Sequence, residues 1–451
     1  MKKYLLAFAL TLGISFSTRA QVVEVGGQLK VSTVYSNNSL NEVLVLNPDG
    51  TLGKRAASTI GGVPPTGMLL STLETNNTLI NAGFTNIGYL PLSFVERSVF
   101  GTWSTISNTN APSPRYEHAA IYTGTQMIVW GGVDAGNNGG RYNPASNTWS
   151  AISTVNSPGT GAGFSAVWTG TEMLVWGGNQ AATSNIGKRY NPTSDAWTTM
   201  STVNAPAGRY DASTVWTGTE MIVWGGYSNG VYVNTGARYN PSTNTWASLP
   251  VTGAPTARAD NGAVWTGTEM IIFGGLVNTT PLDNGGRYNL QTNTWSALPA
   301  STNSPSGRYN PHMVWTGSEM LLWGGSYWGG RYQDGAKFNP VNSTWTPISG
   351  AGRPEVYDPG VVWTGTEMFV WEGYGPTGGG KYNPATDSWI ITSLEGVPAW
   401  RGYTTPLWTG TEILVWGGYG DQSMGNGGKF NPAGFGYIAP AEKRYYIYQK
   451  N

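Results

Sequence analysis

Five arginines each stand seven residues ahead of an aromatic anchor: Arg115 before Tyr122, Arg209 before Trp216, Arg258 before Trp265, Arg308 before Trp315 and Arg401 before Trp408. Five residues ahead of the anchors come Glu117, Asp211, Asp260 and, before Trp363, Asp358. Residues two apart on an extended segment point the same way, so this spacing predicts Arg–carboxylate pairs on one surface. Such pairs either bind a polar ligand through charge-assisted hydrogen bonds or hold one another in a structural girdle. The series is broken, at Gly161 and Val356 for the arginine and at Gly163, Asn310 and Tyr403 for the carboxylate. Tyr116, Tyr210, Tyr309, Tyr357, Trp400 and Tyr403 lie in the same segments, and Tyr227, Trp328, Tyr374 and Tyr419 lie further on. Rings beside Arg, Asp and Asn suit sugars, which need stacking and paired hydrogen bonds, and equally suit protein interfaces. The candidate ligand-binding set is Arg115, Tyr116, Glu117, Arg209, Tyr210, Asp211, Arg258, Asp260, Arg308, Tyr309, Trp328, Tyr357, Asp358, Arg401 and Tyr403.

Other chemistry has less support. The chain has no cysteine and two histidines, His118 and His312, so no His/Cys metal site and no cofactor are expected. Glu117, His118, Asp211, Asp260, Glu355 and Asp358 are the candidate acid–base groups, but no spacing singles out a pair, and no catalytic residue is assigned. Lys and Arg number 25, as do Asp and Glu. With no basic excess to displace counterions, nucleic acid is not an expected partner.

Residues 1–20 have a positive start at Lys2 and Lys3, an apolar run from Leu5 to Phe16, and the small-residue site Thr18-Arg19-Ala20. This pattern predicts a secretory signal peptide, since the run is too short for a membrane span. Losing Lys2, Lys3 and Arg19 shifts the formal charge to about −3. The expected location is secreted, periplasmic or cell-surface. An exported fold without disulfides must be held by packing.

The elements that position these residues are repeats. The stretch Ala166–Trp197 reads AVWTGTEMLVWGG, a loop, then RYNPTSDAW. It recurs seven times, with a period of about 48 residues. Two apolar runs joined by Thr-Gly-Thr-Glu predict a hairpin, strands A and B. Arg/Lys-Tyr-Asn predicts strand C, and Thr-Trp after an Asn-Pro turn predicts strand D. The A–B and C–D turns then share one face of the blade. The B–C and D–A loops, unequal in length and sequence, share the other, and variable loops on a rigid scaffold are where binding sites sit. The Glu of the A–B turn and the cation of strand C recur in the blades, so both are expected to be structural.

The last copy ends at Lys429-Phe-Asn-Pro432 without a strand D, whereas Thr102-Trp103-Ser104 precedes the first strand A at the usual distance. A strand at the start of the repeats is therefore expected to complete the last blade and remove the open edge. Residues 21–101 read as a small β-rich module or spacer with a turn at Asn47-Pro-Asp-Gly50, and Leu69–Ile80 has the make-up of a diluted short helix. Residues 102–433 hold the repeats, and 434–451 form a tail with a strand-like Tyr445-Tyr-Ile-Tyr448.

An aromatic-Gly-Gly after an apolar strand, followed by Tyr and Trp at fixed spacing, resembles the kelch motif, over roughly 102–432. The resemblance implies an all-β, seven-bladed kelch-type propeller with a small β-rich N-terminal region. Trp371-Glu372-Gly373 in blade six and Phe273 in blade four depart from the pattern. Kelch relatives that are copper oxidases need a cysteine-modified Tyr, which this chain cannot form. The expected function is a secreted, non-catalytic, monomeric binding protein that recognises a glycan or an extracellular protein. The alternatives are a mutarotase- or epimerase-like sugar enzyme and an architectural surface protein.

Overall fold

The structure, a computed structural model, describes residues 101–433 with side chains except 180–184, 357–358, 372–377 and 393–395; outside that span it describes strand backbone alone. The expected leader lies largely outside the described residues, as does Glu372. Every named element is a β-strand. The chain divides into a unit of 99–436 and a unit of 1–98 with 437–451.

The second of these is one eight-stranded sheet. Glu42–Leu46 and Thr51–Ala56 pair antiparallel around Asn47-Pro-Asp-Gly50. Met68–Ser71 is a strand paired with Glu42–Leu46, so the helical reading of the start of 69–80 is corrected: Met68, Leu69 and Leu70 join a ladder. The strand Lys443–Lys450 lies between Met68–Ser71 and Phe84–Leu92 in this sheet.

Residues 99–436 form seven four-stranded antiparallel sheets, each ordered A-B-C-D. Blade one comprises 119–122, 127–130, 139–143 and 148–151. Blade two comprises 164–168, 173–177, 187–191 and 196–199, and blade three 213–216, 221–224, 236–240 and 245–248. Blade four comprises 262–265, 269–273, 285–289 and 294–297, and blade five 312–315, 320–323, 335–339 and 344–347. Blade six comprises 360–363, 368–371, 379–383 and 388–391. In blade seven, 407–408, 413–416 and 427–437 are followed in the sheet by Ser98–Thr105.

The ladder register explains the constant spacings. In blade three Trp216 lies opposite Met221, Met221 opposite Tyr239, and Tyr239 opposite Trp246. Short turns fix each hairpin, so the four large side chains of this row keep their separation along the chain. Strand B is buried throughout, while strand D buries its Trp and exposes its neighbours. The core therefore lies between blades. Trp176 of strand B in blade two meets Trp246 of strand D in blade three with ring centroids 5.6 Å apart. The same B-to-D contact recurs around the ring, as Trp130–Trp197, Trp224–Trp295, Phe273–Trp345 and Trp323–Trp389. Trp371 meets Trp103 at 5.3 Å, and Trp416 meets Trp149 at 5.0 Å, so the contact passes through blade seven to blade one. Phe273 keeps it in place of Trp.

Polar bonds also join the blades. Tyr239 donates its hydroxyl to Asn244 Oδ1 at 2.7 Å, and that oxygen also accepts the backbone N–H of Ser201 from the preceding D–A loop. Tyr142–Asn147, Tyr190–Asp195 and Tyr382–Asp387 repeat the device, with the acceptor in the left-handed region. Blade five changes both partners: Phe338 has no hydroxyl, its turn carries Ser343, and Ser301 N–H bonds Ser304 Oγ instead.

Trp246 is 4 % exposed and donates Nε1–H to Ser201 O at 2.9 Å. Trp246→Ala should cost roughly 3–5 kcal/mol by denaturant unfolding. A loss below about 1 kcal/mol would place strand D outside the core.

Candidate functional site

The A–B/C–D face is occupied by its own bonds. Thr217 Oγ1 accepts the N–H groups of Thr219 and Glu220. The turn glutamates pair with the cations of strand C, as Glu172 with Arg189 at 2.5 Å, Glu269 with Arg287 at 2.6 Å and Glu367 with Lys381 at 2.9 Å. The same cations reach the Asn-Pro turn of the next blade, Arg141 to Pro192 O, Arg189 to Pro241 O, and Lys429 of blade seven to Pro144 O of blade one.

On the opposite face the arginines and carboxylates part company. Arg115, Arg209, Arg258, Arg308 and Arg401 are fully buried. Arg258 donates Nε–H to Thr256 O, Nη1–H to Gly274 O and Asn284 O, and Nη2–H to Thr256 Oγ1 and Asn284 Oδ1, all at 2.7–2.9 Å. In each of the five the Nε bond goes to the carbonyl two residues earlier, and an Nη1 bond goes to the first glycine after strand B. Burial holds Arg115, Arg209, Arg258 and Arg401 down at about 10, still cationic at neutral pH. The expectation that these guanidinium groups face a ligand is corrected: they are buried, bond chiefly to backbone carbonyls and pin the end of strand B to the segment leading into strand A, Arg308 also pairing with Asp334 at 2.8 Å.

The glycine doublet completes this joint. Gly274 and Gly275 both have positive φ, and a Cβ on Gly274 would lie 2.5 Å from Arg308 O of the next blade. Gly275 N–H donates to that carbonyl at 2.8 Å. Only a residue without Cβ fits there.

The carboxylates do not follow the arginines because the backbone is not extended between them. Glu117, Asp211, Asp260, Asn310 and Tyr403 all have φ of 50–56°. In this left-handed region the two-residue alternation fails, so the carboxylate turns away from the buried guanidinium. The A strands of neighbouring blades meet at the centre of the ring, so the residues just ahead of them stand at its mouth. They link there through the backbone: Glu117 N–H donates to Tyr403 O, Gly163 N–H to Glu117 O, Asp260 N–H to Asp211 O and Asn310 N–H to Asp260 O. Asp211 and Asp260 are half-buried and Glu117 is exposed. Burial, then repulsion from Asp260 and Glu117, pushes the Asp211 carboxyl well above the usual carboxylate range. Burial and then Glu117 do the same to Asp260.

Aromatic rings surround this mouth. Tyr116 lies 5.9 Å from Tyr403 and 5.0 Å from Tyr419. Blades three, four and five extend their B–C loops into hairpins, 227–228 with 231–232, 276–277 with 280–281 and 326–327 with 330–331. Each is tied to its own D–A segment, by Tyr210↔Tyr227, Ala259↔Leu276 and Tyr309↔Ser326. Tyr210 is 5.5 Å from Tyr227, and Tyr309 is 6.2 Å from Trp328. Tyr357, Asp358 and Tyr374 lie outside the described residues. Sequence reading missed Tyr232, Tyr327 and Tyr332 and the hairpins that carry them. The available signal was Tyr227-Ser-Asn-Gly-Val-Tyr232, alternating residues around an Asn-Gly turn.

His118 is buried against Trp416 with ring centroids 5.7 Å apart, and burial followed by Arg115 holds it down at about 3, so it is neutral. Among the described residues no group of three or more His, Cys, Asp or Glu could hold a metal ion, and no helix is long and apolar enough to cross a membrane.

The two charge types should respond differently to mutation. Arg258→Ala strands carbonyls of three segments and should cost about 3–5 kcal/mol in chemical unfolding. For Asp260 the raised folded value means its stability contribution is complete below about pH 4 and fades as pH rises through that value. Asp260→Asn should therefore match the parent near pH 4 and exceed it by about 1 kcal/mol near pH 8. An Asp260→Asn variant that is less stable at the higher pH would mean the carboxylate is paired.

A family model described as the KLHDC2/KLHL20/DRC7 Kelch-repeats domain matches residues 163–373, from blade two into blade six. No curated protein matches the chain. With seven A–B–C–D sheets, the Arg-pinned glycine doublets and this match together, the repeat region of the chain is a kelch-repeat β-propeller.

Proposed function

We propose that this protein is a non-catalytic binding protein that works after export and presents its B–C/D–A face to a protein or a glycan. A kelch propeller is typically a protein-binding scaffold. The carrying observation is the contrast between the two faces. One face uses its charged residues to join blades. The other raises three hairpins and leaves Trp328 64 %, Tyr403 54 % and Tyr419 41 % exposed. Large exposed aromatics cost hydration without packing in return, and they mark recognition surfaces. The raised Asp211 and Asp260 carboxyls are the one feature that favours acid–base chemistry on a sugar, and a mutarotation assay with reducing sugars tests that second reading.

Glycan and peptide arrays probed with the full chain test the first. Tyr327→Ala with Trp328→Ala should weaken capture of any array ligand by about tenfold or more, while Thr219→Ala on the opposite face leaves it unchanged. Both variants should keep the parent circular dichroism spectrum. Array ligands indifferent to the Tyr327/Trp328 pair would refute the assignment of the face.

A further inference from the structure

The hairpins of blades three, four and five form a continuous rank. Tyr232 of the first hairpin donates its hydroxyl to Asn278 O of the second at 3.5 Å, and Trp328 of the third donates Nε1–H to Thr279 O of the second. Within the rank Tyr227 packs on Tyr232 at 5.0 Å and Tyr327 on Tyr332 at 4.8 Å. Each hairpin is pinned at its base by paired backbone bonds to Tyr210, Ala259 and Tyr309. In a ring of seven, the seam between blades seven and one lies across the mouth from blade four. The trio Tyr116, Tyr403 and Tyr419 stands at that seam. Two aromatic walls, both anchored, thus face each other over the mouth.

The charge between the walls fixes the chemistry of what lies there. Asp211 and Asp260 come from blades three and four, at the foot of the rank, and their charges act on Tyr210 and Tyr232. Glu117 and Asp134 act on Tyr116 at the other wall. The five guanidinium groups of this ring are buried and bonded mainly to carbonyls; Arg308 also pairs with Asp334 at 2.8 Å, and among the described residues none of their bonds goes to Glu117, Asp211 or Asp260. Like charges gathered in this way destabilise the protein. A cation with an aliphatic stem reverses that repulsion and stacks on the rings.

We propose that the two aromatic walls are a docking surface for a lysine- or arginine-bearing segment of a partner protein, whose cationic side chain enters the acidic mouth. This rests on the assignment of the face above and adds the partner's chemistry to it. Lysine and arginine fit better than a sugar because a neutral ring leaves the carboxylate repulsion in place. They fit better than a metal ion because no described acidic group is arranged to ligate one.

The test uses the full chain and short acetylated, amidated peptides that differ only in carrying lysine, arginine, glutamine or glutamate at fixed positions. Fluorescence polarisation should show the lysine or arginine peptides binding at least about tenfold tighter than the glutamine peptide. Asp211→Asn with Asp260→Asn should bring them down to the glutamine level, and Trp328→Ala should weaken them independently. The asparagine substitutions relieve repulsion, so folding is retained. Equal binding of the glutamine or glutamate peptides, or no effect of the asparagine pair, overturns the proposal. If Trp328→Ala still releases those peptides, the face assignment stands without the cation. Failure of every peptide to bind overturns the proposal as well, and the Trp328 dependence of an array glycan then decides the face assignment separately.

Discussion

The fold of the B–C/D–A face depends on the buried guanidinium group. A cation out of water is tolerated only when most of its donors are satisfied, and the arginines of blades one, three, four, five and seven each bond carbonyls at the end of strand B and in the segment before strand A, Arg308 pairing with Asp334 as well. Each thereby ties two stretches of its blade that share no ladder. The next blade joins through the glycine doublet, whose backbone lies against the following arginine's carbonyl. The arginine is thus a fastener within a blade, and its carbonyl is a fastener between blades. In blades one, three and four the left-handed residue two positions on is acidic, Glu117, Asp211 and Asp260, and stands apart from the buried guanidinium.

The tryptophans hold the ring at greater radius. Strand B of one blade meets strand D of the next by ring contact at every seam, and at four of them the Asn/Asp held by the Tyr hydroxyl also accepts a backbone N–H across the seam, from Ser107, Ser153, Ser201 and Ser349. Ser98–Thr105 supplies the outer strand of blade seven and brings Trp103 against Trp371 and Phe430. A scaffold fastened this densely leaves little freedom to its loops' bases, so the hairpins of blades three to five project as fixed features. Pre-organised aromatic surfaces bind with less ordering cost.

Much of this was legible from sequence because strand register converts directly into residue spacing. The constant Tyr-to-Trp distance within C–D is a ladder constraint, and so is the constant A-to-B distance. The two faces were legible from turn chemistry alone. The pairing of Arg with carboxylate was not, because a strand period was assumed across residues whose φ is positive; Gly163 at the equivalent place in blade two was the clue, since glycine often marks such a conformation. The hairpins went unread because Trp328-Gly-Gly and Asn278-Thr-Thr lack the alternation that Tyr227–Tyr232 shows. The partnership of Tyr239 with Asn244 was not read from the sequence, and the joint loss of both partners at Phe338 and Ser343 marks it as one device.

The central claim is that the buried arginines belong to the scaffold and that, among the described residues, they do not pair with Asp211 or Asp260. Carbon-13 carboxyl titration of aspartate-labelled protein tests it directly, with Asp211 and Asp260 assigned from their asparagine variants. Both signals should titrate clearly above the ordinary aspartate value of about 3.9. Titration of both at or below that value would show that the guanidinium groups neutralise them and that the ring is a structural girdle.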